Sequence, residues 1–309
     1  MSDAEHGLDF AAWSHERVRR FESYARAAAP QAGREPKRLT GALRYALLGG
    51  GKRVRPLLAY AAGLVTEAPE ALVNAAALSL EMIHSYSLVH DDMPSMDNDV
   101  LRRGQPTVHV QYGEALAMLA GDALQAEAFD VLSHAEGEPE RVLRMIKTLS
   151  RASGIKGMCG GQALDLAMVG QSVSETQLFC MQSMKTGALI RAAVLMGAQA
   201  GEWPKLSEGA QAGLAVYAQA LGLAFQVTDD ILDCTQATEV LGKTAGKDEE
   251  ADKPTWVSLL GLEGAKARAA TLRAEMQTGL DMVAADAAAR PEGVARLAQI
   301  ADFVLARDH

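Results

Sequence analysis

Residues 213–233, GLAVYAQALGLAFQVTDDILD, decide the fold class. Leu214, Tyr217, Leu221, Ala224, Thr228 and Ile231 recur there at steps of three and four, the spacing that lines one face of an α-helix. Gln226, Asp229, Asp230 and Asp233 follow the same steps and share another face. Residues 74–92, NAAALSLEMIHSYSLVHDD, repeat the plan, with Ala77, Glu81, His84, Leu88 and Asp91 in line. His84 precedes Asp91 by about two turns, ~10.5 Å. Pro94 stops this helix close to Asp92 and leaves Asp97 to the following turn. Each helix therefore carries an acidic end.

The rest of the chain has the same habit. Aromatic residues make up only 5% of the 309, and Ala, Leu and Met are abundant, a composition that favours helices. Breaks rich in Gly, Pro or charge fall at residues 29–37, 66–71, 93–99, 135–140, 168–174, 201–209 and 245–254. None reads as an interdomain linker, so one all-α domain over residues 1–309 is expected. With 49% hydrophobic residues the chain can bury a sizeable core. A net charge of −9 without any basic block argues against nucleic-acid binding. No apolar run is long enough to span a bilayer, and the start MSDAEHGLDF lacks the pattern of a secretion signal. The three cysteines, Cys159, Cys180 and Cys234, offer neither a disulfide framework nor zinc spacing. A cytoplasmic protein is the expectation.

Like charges at helical spacing repel, so Asp229 and Asp233 on one face cost stability unless a cation intervenes. The negative end of the helix dipole adds to that cost. Carboxylates without Cys or clustered His point to Mg²⁺ or Ca²⁺, and the sparse DDMPSMD (91–97) and DDILD (229–233) suit Mg²⁺, which completes its shell with water and substrate phosphate. A single Asp pair at a helix end is usually solvated surface; two such pairs on two apolar helices are not so easily dismissed. Cations complete the pattern. LLGGGKRVRP (47–56) sets Lys52, Arg53 and Arg55 after three glycines, although it is no P-loop. Arg102 and Arg103 follow the first acidic turn, where ion pairing with Asp97 and Asp99 is the plainer reading. Lys185 and Thr186 stand in MKTGALI, and Lys243, Lys247 and Lys253 in LGKTAGKDEEADKP. Together these residues suit a metal-bridged polyphosphate, with a second phosphate ester held by cations alone.

At this point the order of motifs resembles that of the trans-isoprenyl diphosphate synthases, bacterial farnesyl diphosphate synthases above all. GGGKRVRP, EMIHSYSLVHDDMPSMDNDVLRRGQPTVH, GDAL, GGQALDL, MKTGALI, FQVTDDILD and LGKTAGKD carry it, nearly end to end. The resemblance implies an all-α fold, a single-domain helical bundle around a deep central cavity, as a homodimer. It also implies loss of diphosphate from an allylic substrate, attack by isopentenyl diphosphate on the resulting cation, and proton loss. It implies Mg²⁺, three ions to a site, on Asp91 and Asp97 with Asp92 in support, and on Asp229 with Asp233 nearby. Lys52, Arg55, His84 and Arg103 match residues that hold isopentenyl diphosphate. Arg102, Lys185, Thr186, Gln226, Lys243 and Lys253 match those that contact the allylic diphosphate. Tyr86, five residues before Asp91 and next to the small Ser87, is where an aromatic floors the product tunnel in this family, which implies a fifteen-carbon product. A geranyl or geranylgeranyl diphosphate synthase is the nearest alternative. A metal-dependent phosphohydrolase, suggested by His90–Asp92, would need further His ligands.

Overall fold

The computed structural model describes residues 3–31, 33, 35–235 and 253–306, with side chains from Phe10 onward. It is almost entirely helical. The helices are α1 (Asp3–Ala28), α2 (Lys37–Leu48), α3 (Val54–Val65), α4 (Glu70–Asp91), α5 (Val108–Tyr112), α6 (Glu114–Ser133), α7 (Pro139–Ser153), α8 (Met158–Met168), α9 (Glu175–Gln182), α10 (Ala188–Gln199), α11 (Glu208–Thr235), α12 (Trp256–Ala284) and α13 (Pro291–Leu305). The expected breaks up to residue 209 all separate helices, and α4 ends at Asp91 as Pro94 requires. Further breaks come at Gly113, where φ is +91, and at Gly261, where φ of +71 interrupts α12. A π-turn, Ser183–Gly187, joins α9 to α10.

Helices α3 and α4 form the middle of the core. Nearly every residue of α3 is buried, and α4 buries Leu72 through Ile83 with little interruption. A helix apolar on all sides is one packed on all sides. Helix α6 covers α4 on one side, α10 lies across α3, and α11 packs along most of α12. The α3–α10 crossing is exceptionally close. A Cβ on Gly197 would lie 2.2 Å from the Ala59 carbonyl oxygen, so only glycine lets the two backbones meet there.

Arg53 ties α1, α2 and α4 together from the loop before α3. It is 4% exposed and adopts φ +50. Its guanidinium lies 2.7 Å from a Glu81 carboxylate oxygen, donates to the Leu47 carbonyl at 3.1 Å, and stands 5.6 Å from the Phe21 ring centre. Of the cations in GGGKRVRP, this one is structural.

The sheet content among the described residues is a two-residue hairpin, β1 (Leu101–Arg102) and β2 (Gln105–Pro106), antiparallel. Its turn residues, Arg103 and Gly104, have φ +53 and +74. Positive φ at both central positions matches the twist of the flanking strands, and it aims Arg103 back toward the glycine loop.

Replacing Gly197 by Ala gains about 1 kcal/mol of helix propensity but overpacks the crossing by about 1–3 kcal/mol. A lower urea midpoint is expected for Gly197→Ala. An unchanged midpoint would mean that α3 and α10 have slack between them.

Candidate active site

The acidic turn folds back on the end of α4. The Asp97 amide donates to the Asp91 carbonyl at 2.8 Å, Asn98 to Met93 at 3.1 Å and Asp99 to Asp92 at 3.1 Å. Asn98 accommodates the reversal with φ +52. The result sets Asp97 beside Asp91 with Asp92 behind them. Burial pushes the Asp91 carboxyl up to about 6; the nearby Asp97 carboxylate adds to this and the Lys185 ammonium opposes it.

Each neighbouring carboxylate already holds a cation. Arg102 takes Asp92 through two nitrogens, Nη2 at 2.5 Å and Nε at 2.9 Å. Lys253 Nζ lies 3.2 Å from Asp97, and Lys185 Nζ lies 2.5 Å from Asp165, which is only 5% exposed. Arg102 thus pairs with Asp92, one turn earlier than its sequence neighbours suggest.

Close backbone contacts fix these cations. A Cβ on Gly161 of α8 would come within 2.1 Å of the Lys185 amide nitrogen, and one on Gly222 of α11 within 2.7 Å of Gly187. The π-turn is therefore wedged between α8 and α11. π-Bulges mark functional sites often, and here adjacent Lys185 and Thr186 both face the same cavities. The glycine loop has a similar role. Gly50 and Gly51 have φ +80 and +131, and a Cβ on Gly51 would strike the Arg103 guanidinium. Arg103 lies over that loop and donates to the Gly50 carbonyl.

Three adjoining cavities result. The largest, about 310 Å³, has Asp91, Lys185, Thr186 and Arg55 on its wall together with Tyr86, Ser87, Cys159 and Met158. A polar one beside it holds Lys185, Thr186, Gln226, Asp230 and Lys253. The third holds His84, Asp92, Arg102, Arg103 and Glu81. His84 lines both the first and the third. Burial, and then the guanidinium groups of Arg55 and Arg103, hold its imidazole well below the ordinary range, so it is neutral at pH 7. Tyr86 is 6% exposed; its hydroxyl lies 3.3 Å from Cys159 Sγ and its ring stands edge-on to His90 at 5.8 Å. His90 in turn has Nε2 3.1 Å from the Met118 carbonyl oxygen.

The remaining sequence candidates are not among the residues lining these cavities. Lys52 is exposed and lines none of the three. Asp229 and Asp233 continue the Gln226 face of α11, Asp233 being 7% exposed, while Asp230 accepts the Trp256 amide at 2.8 Å and so fixes the start of α12. Lys243 and Lys247 lie outside the described residues. Among the described residues no three His, Cys, Asp or Glu side chains are grouped to hold a metal ion by themselves. Even so, Asp91 and Asp97 present hard oxygens side by side, and burial with the nearby Asp97 charge opposes ionisation of Asp91; that suits a hard divalent cation that takes further oxygens from a ligand. Asp165 was not anticipated as a site residue. Its signal is a lone acid inside the apolar run of α8, MCGGQALDLAM.

Comparison with known proteins agrees with this geometry. The polyprenyl synthetase family model matches residues 36–288, and the chain belongs to that family of prenyl transferases. It is 45% identical over 275 residues to the farnesyl diphosphate synthase of Escherichia coli, covering 86% of this chain and 88% of that protein. It is also 47% identical over 253 residues to the chloroplastic geranylgeranyl pyrophosphate synthase 3 of Arabidopsis thaliana, covering 80% and 69% of the two. The crystal structure of a Helicobacter pylori geranyltransferase complexed with magnesium and isoprenyl diphosphate superposes with a TM-score of 0.83 at 36% identity, over 94% of this chain and 96% of that one. No helix among the described residues is long and apolar enough to cross a membrane.

Because the folded protein raises Asp91 from 3.8 to about 6, its contribution to stability is full below pH 3.8 and is lost as pH rises through 6. Asp91→Asn is therefore expected to stabilise the metal-free protein at pH 8 by at most about 3 kcal/mol, and to change little at pH 3.5. Denaturation midpoints at the two pH values check this. A less stable Asn variant at pH 8 would mean that the protein's own cations already offset the carboxylate.

Proposed function

We propose that this protein joins isopentenyl diphosphate to dimethylallyl and then geranyl diphosphate, giving farnesyl diphosphate. One observation carries the proposal: Asp91, Lys185 and Thr186 share a cavity with a buried tyrosine five residues back along α4. Charge is grouped where a diphosphate would sit, and apolar wall where a growing prenyl chain would lie.

Asp91 and Asp97, supported by Asp92, together with Asp229 and Asp233, would hold three Mg²⁺ ions. That metal, when bound, neutralises diphosphate charge and so favours its departure from the allylic carbon. Lys185, Thr186, Gln226 and Lys253, with Arg102 and Lys243, pair the allylic diphosphate. Their pairing is an exchange: Lys185 and Lys253 already neutralise Asp165 and Asp97, so the site is charged but balanced before substrate arrives. Lys52, Arg55, His84 and Arg103 hold isopentenyl diphosphate. Neutral His84 offers an N–H there without adding a further cation to the crowd. Attack by the isopentenyl double bond forms the new carbon–carbon bond, and the departing diphosphate takes the proton lost afterwards. The walls around Tyr86 and Met158 keep water from the allylic cation, and low dielectric strengthens each charge contact.

Tyr86 argues for farnesyl over a longer product, because its bulky ring lines the cavity one turn before Asp91. The equal likeness to a geranylgeranyl synthase leaves product length to such side chains. The same reading makes the chain one domain over residues 1–309 that acts as a cytoplasmic homodimer. Exposed Met118 and Leu119 on α6, 44% and 50% accessible, offer apolar surface for a second copy.

With isopentenyl and dimethylallyl diphosphates, farnesyl diphosphate is expected with Mg²⁺ and none after chelation. Release of diphosphate and an alcohol without chain growth would overturn the reading in favour of a hydrolase. Tyr86→Ala is expected to make geranylgeranyl or longer chains the main product by chromatography; an unchanged distribution would remove Tyr86 from the tunnel floor.

A further inference from the structure

We propose that Cys159 sets product length by holding the Tyr86 ring in place, as a positioning residue on the opposite wall of the cavity. The inference rests on the prenyl transfer proposed above and deepens it.

Tyr86 sits on α4 and Cys159 on the first turn of α8, 73 residues apart in sequence, with Sγ 3.3 Å from the phenol oxygen. A buried hydroxyl is costly unless partnered, and with Tyr86 6% exposed the thiol is that partner. The cysteine itself is open to the cavity. His90 braces the other side of the ring, edge-on at 74° and 5.8 Å, and is fixed through Nε2 to the Met118 carbonyl. The ring is thus held at its rim by α4's own next turn and at its tip by α8.

The thiol cannot drift. A Cβ on Gly160 would lie 2.0 Å from the Ile155 carbonyl oxygen, and one on Gly161 2.1 Å from the Lys185 amide nitrogen. Helix α8 is seated so closely that its first turn has one position. The same helix carries Asp165, the partner of Lys185. One rigid element therefore references both the charged end of the cavity, through Asp165 and Lys185, and the closed end, through Cys159 and Tyr86. The distance between the two ends is the length available to the chain. Without the thiol the ring retains its bulk but loses the contact at its tip, and it can turn aside under a longer product.

The test compares product chain lengths from Cys159→Ala, Cys159→Ser, Tyr86→Phe, Tyr86→Ala and Cys159→Ala/Tyr86→Ala with the unmodified protein. Tyr86→Phe cuts the same contact from the other end and is an isosteric change, so it serves if Cys159→Ala folds poorly. The expected result is a rise of about fivefold in the twenty-carbon share for Cys159→Ala and Tyr86→Phe, the size of one neutral hydrogen bond. Cys159→Ser, which keeps a donor and acceptor, should restore the parent distribution, and the double variant should match Tyr86→Ala alone. Longer products from Tyr86→Ala but parent products from Cys159→Ala and Tyr86→Phe would overturn the inference and leave the tunnel floor standing. Longer products from Cys159→Ala with none from Tyr86→Phe would also overturn it, since added volume would then be the cause. Parent products from Tyr86→Ala would defeat the tunnel floor and the inference with it.

Discussion

The rest of the site depends on the burial of carboxylates at the end of α4. Asp91 is held where its charged form is disfavoured, next to Asp97 and in front of Asp92. Such a cluster is unstable unless positive charge is supplied from elsewhere in the chain. It is supplied by three cations from three separate elements: Arg102 from the hairpin, Lys185 from the π-turn and Lys253 from the segment before α12. None of the three is on α4. The acidic helix end is therefore a convergence point, and the surrounding helices must arrive in register to satisfy it. Fold and site are coupled through this electrostatic demand rather than through proximity in sequence.

Glycine makes that convergence possible. Gly51 lies under the Arg103 guanidinium, Gly161 against the Lys185 backbone and Gly222 against Gly187. At each point a methyl group would displace either a cation or the backbone that carries it. The price is conformational entropy in the unfolded chain, and Arg53 offsets part of it. Its buried contact with Glu81 and its bond to the Leu47 carbonyl fix the loop's far end. A loop whose glycines let Arg103 lie across it is thereby held in one shape by the residue next to Lys52.

The helical pattern was legible in the sequence because it is local. Apolar steps of three and four define α4 and α11, and Pro94 marks the end of α4 within one residue. Both acidic groups could be read for the same reason, whereas the tyrosine before Asp91 drew notice only through the family resemblance. What could not be read depends on contacts between distant segments. Nothing in KRVR says that Arg53 is the buried one; Glu81, 28 residues on, decides it. Nothing in MKTG announces a π-turn, because the wedge that forces it comes from Gly161 and Gly222. Asp165 resembles any helical acid until Lys185 is found 2.5 Å away. The interruption at Gly261 was missed because glycine inside a helical pattern is often tolerated.

Overall similarity is a poor guide to chain length within this family. This chain is 45% identical to a relative named for farnesyl and 47% identical to one named for geranylgeranyl diphosphate. On the proposed reading the charged groups perform one reaction whatever the chain length, so overall identity would not separate the two. Product length would be a different kind of property, set on the proposed reading by where the cavity ends. Tyr86 lies five residues before Asp91, ~7.5 Å along the helix axis, and a single ring there spans the space between α4 and α8. On that reading, a change of this one side chain would move the end of the cavity while the helix keeps the carboxylates in place. On the proposed reading, catalysis and chain length are separable along α4: its last turn carries charge and the turn before it carries shape.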